Sequence, residues 1–141
     1  MACNARFGGG NNLKLIFKGV IPVEPRTKKN SQNIFMNKKT GRAFISTSAA
    51  YKAYDAAAGK YLDGRMKTPV NVPVEVTARF YMKTRRRVDL TNLMEALHDI
   101  LVKHKVLADD NSQVIVSVDG SRVLYDKDNP RTEFEIKEMI E

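Results

Sequence analysis

The chain of 141 residues has one cysteine, two histidines and no apolar run approaching the length of about 20 residues that a membrane-spanning helix needs. Cys3 therefore has no internal disulfide partner, and no ligands stand near it for a zinc site. His98 and His104 lie on different sides of a helix at their spacing, which argues against a shared histidine metal centre and leaves them solvated or partly packed. No internal repeat, heptad run or low-complexity stretch is visible beyond the start. Residues 1–12 are Gly- and Asn-rich rather than apolar, so they read as a flexible segment without a signal peptide, and a cytoplasmic protein is expected. Residues 13–141 suffice for one domain with a real core.

Positive charge is abundant. Twenty-four Lys and Arg against sixteen Asp and Glu give a net charge of +8, a balance that suits a polyanionic partner. Charge alone does not separate a nucleic-acid binder from a merely soluble protein, so its placement has to decide.

Leu13 to Ile21 alternates as a strand, which Pro22 and Pro25 end. Asn33 to Met36 and Arg42 to Ser46 flank Asn37-Lys38-Lys39-Thr40-Gly41, a hairpin sequence whose glycine suits a positive φ. Thr47 or Ser48 caps a helix to about Leu62, stopped by Asp63-Gly64, with Tyr51, Tyr54, Ala58 and Leu62 facing a sheet. Val74, Val76, Ala78 and Phe80 alternate with Glu75, Thr77, Arg79 and Tyr81 in a strand with one buried face. Val114, Val116 and Val118 alternate again. Asp119-Gly120 then predicts a hairpin turn, with Arg122 to Tyr125 as the partner strand and Thr132 to Lys137 as the last strand. The fold class is α+β, a single domain with a mixed or mostly antiparallel sheet and two main helices.

The second helix carries the chemistry. Asp89 stands at an N-cap position, and Leu90, Leu93, Met94, Leu97, Ile100 and Leu101 share one arc that must be buried. Thr91, Glu95 and Asp99 recur every four residues on the flank, forming a polar stripe with two carboxylates. Like charges at this spacing weaken a helix by a few tenths of a kcal/mol, which a hard divalent cation would relieve. Acids on a solvated helix face are also common, and both readings stay open at this level. Asp109-Asp110 follows the helix after a short connection, as a turn or as carboxylates returned toward the helix start. Upstream lie Lys83, Arg85, Arg86 and Arg87. Cations that hold a backbone beside carboxylates that bind metal form a set suited to phosphodiester chemistry.

The ordered set Asp89-Leu90-Thr91-Asn92-Leu93, then Ala96-Leu97 and Asp99, then Asp109-Asp110-Asn111-Ser112-Gln113-Val114 resembles the RusA family of phage- and prophage-associated Holliday-junction resolvases. The likeness covers most of Leu13 to Lys137, with the second half the more specific part. Family members typically show Asp-x-Asp-Asn, an amphipathic helix bearing an aspartate, and Asp-Asp opening the next strand. The resemblance implies that Asp89 is the first catalytic aspartate and Asp110 the third, with Asn92 and Asp99 at other motif positions. Thr91 replaces the second aspartate, and Glu95 replaces the family's usual lysine. Glu95 lies one turn below Thr91 and its longer side chain reaches back toward the helix start. On this reading Asp89, Glu95, Asp99 and Asp110 share one or two Mg²⁺ ions, with Asp109 next in line and Mn²⁺ able to substitute.

The resemblance further implies a homodimer that binds a four-way junction and cuts two strands symmetrically, with Lys28, Lys29, Arg85, Arg86 and Arg87 on backbone phosphates. No membrane and no small-molecule cofactor are involved. Two rivals remain: a DNA-binding module without catalysis, and a nuclease for other branched DNA or for RNA.

Overall fold

The computed structural model describes residues 12–28, 32–36, 38–47 and 49–140. Lys29, Ser48, Cys3 and all of residues 1–12 except Asn12 lie outside the described residues. Asn12 is itself tied down, because its carbonyl accepts a hydrogen bond from the Ile140 amide at 2.6 Å.

The elements run β1 (Leu13–Ile21), β2 (Gln32–Met36), β3 (Ala43–Thr47), α1 (Ala49–Leu62), β4 (Val74–Met82), α2 (Leu90–Lys103), β5 (Ile115–Ser117), β6 (Arg122–Tyr125) and β7 (Arg131–Met139). β2 and β3 form the expected antiparallel hairpin as a separate two-stranded sheet. The main sheet has β1 at one edge, then β7, then β4, and both β5 and β6 on the far side of β4. Its first three strands are antiparallel while β5 and β6 run parallel to β4, so the sheet is mixed and the domain is α+β.

Alternation in β4 buries Val74, Val76, Ala78 and Phe80, and β7 adds Phe134 and Ile136 in register. These side chains join those of both helices in one core, with Tyr51, Tyr54, Ala58 and Leu62 from α1 and Leu93, Met94, Leu97, Ile100 and Leu101 from α2. The alternate positions carry polar pairs such as Arg79 and Glu133, 3.3 Å apart. Full burial of a Leu or Ile side chain stabilises by about 1.5–3 kcal/mol. A few tenths of repulsion between acids on α2 cannot compete with that, so the apolar face decides that the helix forms.

Two close contacts seat the helices. The Tyr54 hydroxyl meets Thr132 Oγ1 at 2.8 Å in the core, tying α1 to β7. Gly59 lies against His104 of the segment ending α2, where a Cβ would stand 2.7 Å from the imidazole Cε1. Among the described residues no helix is long and apolar enough to cross a membrane.

The expected hairpin of Val114–Val118 with Arg122–Tyr125 does not form. Gly120 adopts φ +84°, as a turn would, but the two strands never pair and instead continue along the same edge of β4. Side chains occupy the gap between them. Thr77 Oγ1 donates to the Asp119 carbonyl at 2.8 Å, and the Ala78 amide donates to Ser121 Oγ at 3.0 Å. These bonds satisfy the edge of β4 where the chain leaves it. The register also leaves Val116 and Val118 exposed, so of the three alternating valines only Val114 is buried.

Candidate active site

Helix α2 begins at Asp89, whose Oδ1 accepts the amides of Thr91 at 2.9 Å and Asn92 at 3.4 Å. Capping is therefore a role Asp89 demonstrably fills. Asn caps as well as Asp, whereas Ala loses about 1 kcal/mol. Asp89→Ala is thus expected to lower the thermal midpoint while Asp89→Asn leaves it near wild type. Thermal unfolding of both variants separates the cap from any further duty of the carboxylate.

Past α2, residues 109–114 form a tight turn. Asp109 is consumed by it, with Oδ1 accepting the Asp110 amide at 2.7 Å and Oδ2 accepting Asn111 Nδ2 at 3.2 Å. Asp110 is the residue the turn presents. Its carboxylate has no hydrogen-bond or ion-pair partner among the described residues, and it borders two clefts.

The first cleft, about 580 Å³, lies between α1 and α2 and is lined by Asp99 and Asp110 together with Asp55, Tyr51, Lys28, Lys52 and Lys103. The second, about 600 Å³, is lined by Thr91, Glu95 and His98 of α2, by Asp110, and by the Val118–Ser121 segment. The polar stripe of α2 is thus divided, with Asp99 opening toward α1 and Thr91 with Glu95 toward the edge of the sheet. Asp110 joins each half. Asp89 and Asp109 line neither cleft. Among the described residues no three His, Cys, Asp or Glu side chains converge closely enough to hold a metal ion. In place of the expected single cluster of five, Asp99 and Asp110 line the first cleft beside the ion-paired Asp55, and Glu95 and Asp110 form a second pair in the other.

The surroundings show what the pairs lack. Lys28 Nζ reaches Asp99 Oδ2 at 3.3 Å and lies 5.9 Å from the Tyr51 ring centroid. Burial, with the charges of Asp55 and Asp99 added, pushes the Tyr51 hydroxyl up to about 12. Burial holds the His98 imidazole below its usual value, although Asp110 and Asp99 oppose this, and its Nε2 is buried without a partner among the described residues. A neutral imidazole does not neutralise Asp110. Hard oxygen donors, two to a site, match the manner in which Mg²⁺ is held by one or two carboxylates with water and substrate phosphate completing its shell. Asp99 and Asp110 fit such an ion in donor chemistry and number.

Sequence reasoning missed the neighbouring clasp. His104 Nε2 meets Asp55 Oδ1 at 2.7 Å and Nδ1 meets Asp63 Oδ1 at 2.8 Å, while Lys103 Nζ bonds the other Asp55 oxygen. No spacing rule links positions so distant in the chain. Burial pushes the Asp55 carboxyl up, but the bonds from Lys103 and His104 together outweigh it and hold the group below the usual carboxylate range. The clasp thus stabilises the fold above that range and is lost as pH falls through the depressed value. Asp55→Asn is expected to be less stable than wild type by about 1–2 kcal/mol at neutral pH. The gap should narrow as pH falls below the ordinary carboxylate range, and a constant gap in denaturant titrations at neutral and acidic pH would remove charge as its cause.

Arg85, Arg86 and Arg87 lie exposed on the segment between β4 and Asp89. Arg85 and Arg86 line a separate hollow, so the structure does not seat the arginines among the carboxylates but beside the strand that leads to them. Of the expected basic residues that are described, Lys28 is the one that reaches an expected acid, Asp99.

No curated protein matches the chain. The sequence does match the family described as Endodeoxyribonuclease RusA over residues 22–137, a span containing both clefts and the arginine run. The chain belongs to the RusA family of endodeoxyribonucleases.

Proposed function

We propose that this chain resolves four-way DNA junctions by symmetric, Mg²⁺-dependent hydrolysis of the phosphodiester backbone, acting as a homodimer in the cytoplasm during recombination and repair. The observation that carries the reading is the cleft that Asp99 and Asp110 line together with Lys28, Lys52 and Lys103, in a RusA-family chain. The three lysines offset the three aspartates that line the cleft, so a backbone phosphate is not repelled as it would be by the carboxylates alone. Asp99 and Asp110 would hold the metal, with Glu95 on the opposite side of Asp110 and Asp89 at the helix start as further candidates. Bound Mg²⁺, or Mn²⁺ in its place, supplies activated water and neutralises charge on the phosphate. Lys28 holds Asp99 in place and is positioned to pass to the phosphate when DNA enters. The Arg85–Arg87 run binds the flanking backbone, and Lys29 is proposed beside Lys28. A two-fold dimer matches the two-fold branch point, placing one site on each strand to be cut.

The absence of a third converging acid among the described residues favours, as a second reading, a protein that binds junctions without cutting them. Labelled junction, flap, duplex and RNA substrates, each assayed with Mg²⁺, Mn²⁺ and EDTA, distinguish the readings. Junction cleavage with either metal and none in EDTA is expected. Tight binding without nicks under any metal would establish the binding module, and preferential cleavage of flaps or RNA would redirect the substrate.

A further inference from the structure

Strands β4 and β6 run parallel and end together, with Met82 paired to Tyr125 and the Asp126 amide donating to the Met82 carbonyl at 2.9 Å. Where they end, a hollow of about 440 Å³ opens, lined by Met82, Thr84, Arg85, Arg86, Val123 and Tyr125 among others. Its size falls in the range of sites for small ligands, roughly 300–1,000 Å³. Tyr125 is 39% exposed and Val123 37%, so two large apolar side chains stand at the surface rather than in the core. The Arg85 guanidinium lies over the Tyr125 ring, 4.2 Å from its centroid.

From these features we infer that the hollow is a nucleotide subsite, taking one unpaired base of the DNA on the Tyr125 ring with Arg85 and Arg86 on the adjoining phosphate. The inference rests on the reading of the chain as a branched-DNA nuclease and names a contact that confers preference for a branch.

The chemistry of the walls selects this occupant. Among the described residues, both charged side chains that line the hollow are cationic and no carboxylate lines it. Neighbouring Asp126 is already engaged by Arg131 at 2.9 Å. The site therefore suits an anionic ligand with a flat apolar part. A base that stacks on the exposed Tyr125 ring takes the place of the Arg85 guanidinium, which then turns to the phosphate, and the stack is indifferent to sequence because every base has a π-face. Paired bases in a continuous duplex hide those faces in the stack, whereas a base displaced at a branch point presents one. A blunt duplex can engage only the arginines. The segment that carries Arg85 and Arg86 runs on directly into Asp89 and α2, so a nucleotide held here positions the strand relative to the clefts.

The chain has no tryptophan, so Tyr125→Trp installs a single reporter at the proposed stacking surface. Its emission is expected to quench on adding single-stranded oligothymidylate or a four-way junction, and to change little with blunt duplex of the same length. Tyr125→Ala should weaken binding of single-stranded and branched DNA about 5- to 100-fold, with duplex affinity within about twofold of wild type and Tyr125→Phe restoring it. Equal quenching by duplex, no quenching at all, or an alanine effect equal on every substrate would overturn the subsite. Wild-type cleavage is measured alongside. Selective stacking without junction cleavage leaves this inference standing and defeats the nuclease reading, while junction cleavage with an indifferent Tyr125→Ala does the reverse.

Discussion

Asp110→Asn is expected to lower junction cleavage by roughly 10³-fold while junction affinity stays within about twofold of wild type. The size follows from the several kcal/mol of charge stabilisation that a bound metal contributes, at about 1.36 kcal/mol per decade of rate. Retained binding follows from the position. The Asp110 carboxylate has no protein partner to lose among the described residues, and removing a negative charge from a cleft beneath three lysines cannot repel DNA. Asp109→Asn is the matched control, since its carboxylate serves the turn, and its cleavage rate should fall less than about tenfold. Glu95→Gln discriminates further, because metal affinity and cleavage should drop together if Glu95 completes the site from the other side of Asp110. Unchanged cleavage would remove Glu95 from it. Single-turnover cleavage paired with junction gel shifts reads all three variants.

Replacing Arg85, Arg86 and Arg87 together by Gln is expected to weaken DNA binding on the order of 10²-fold near 0.1 M salt and to flatten its salt dependence. Each neutralised phosphate contributes about 0.9 to the log–log slope, so loss of three contacts should lower the slope by about 2.7. The three side chains are exposed and make no ion pair among the described residues, so removing them breaks no ion pair and gives up only the Arg85 contact with the Tyr125 ring. Affinity titrations across salt concentrations give both quantities. An unchanged slope would show that the arginines are solvated rather than seated on phosphates. The cleavage rate at saturating DNA should move far less than the affinity, since the arginines lie outside the two clefts.

The two predictions divide the molecule as its charges do. On the proposed reading, carboxylates at the clefts would act on one phosphate, and the cations on the segment before α2 would hold the strand. His104, clasped by Asp55 and Asp63, belongs to neither group and secures the approach of α1 to α2 that forms the first cleft.

Period-two alternation in β4 and the apolar arc of α2 were legible because each element states its own buried face in its own residues. The Asp89 cap was legible for the same reason, as capping joins positions two and three apart. The 114–125 region misled because Asp-Gly is a local turn signal, while strand partners are chosen by whatever edge is open. Here the open edge was that of β4, and Thr77 and Ser121 bridged the interruption. Likewise the α2 stripe predicted that Glu95 and Asp99 share a face, but not that Asp110 would stand between two clefts and divide them.

Residue order alone determined the strands β1, β4 and β7, both helices, the N-cap and the basic balance, since each depends on neighbours within a few positions. Tertiary structure decided which carboxylates share a cleft, that Lys28 and Asp55 stand beside them, and that Tyr125 lies under Arg85. Those contacts join positions in different elements of the chain, and no periodicity encodes them. They exist because burying the apolar faces of two helices against one mixed sheet leaves the chain a single way to bring its polar ends together.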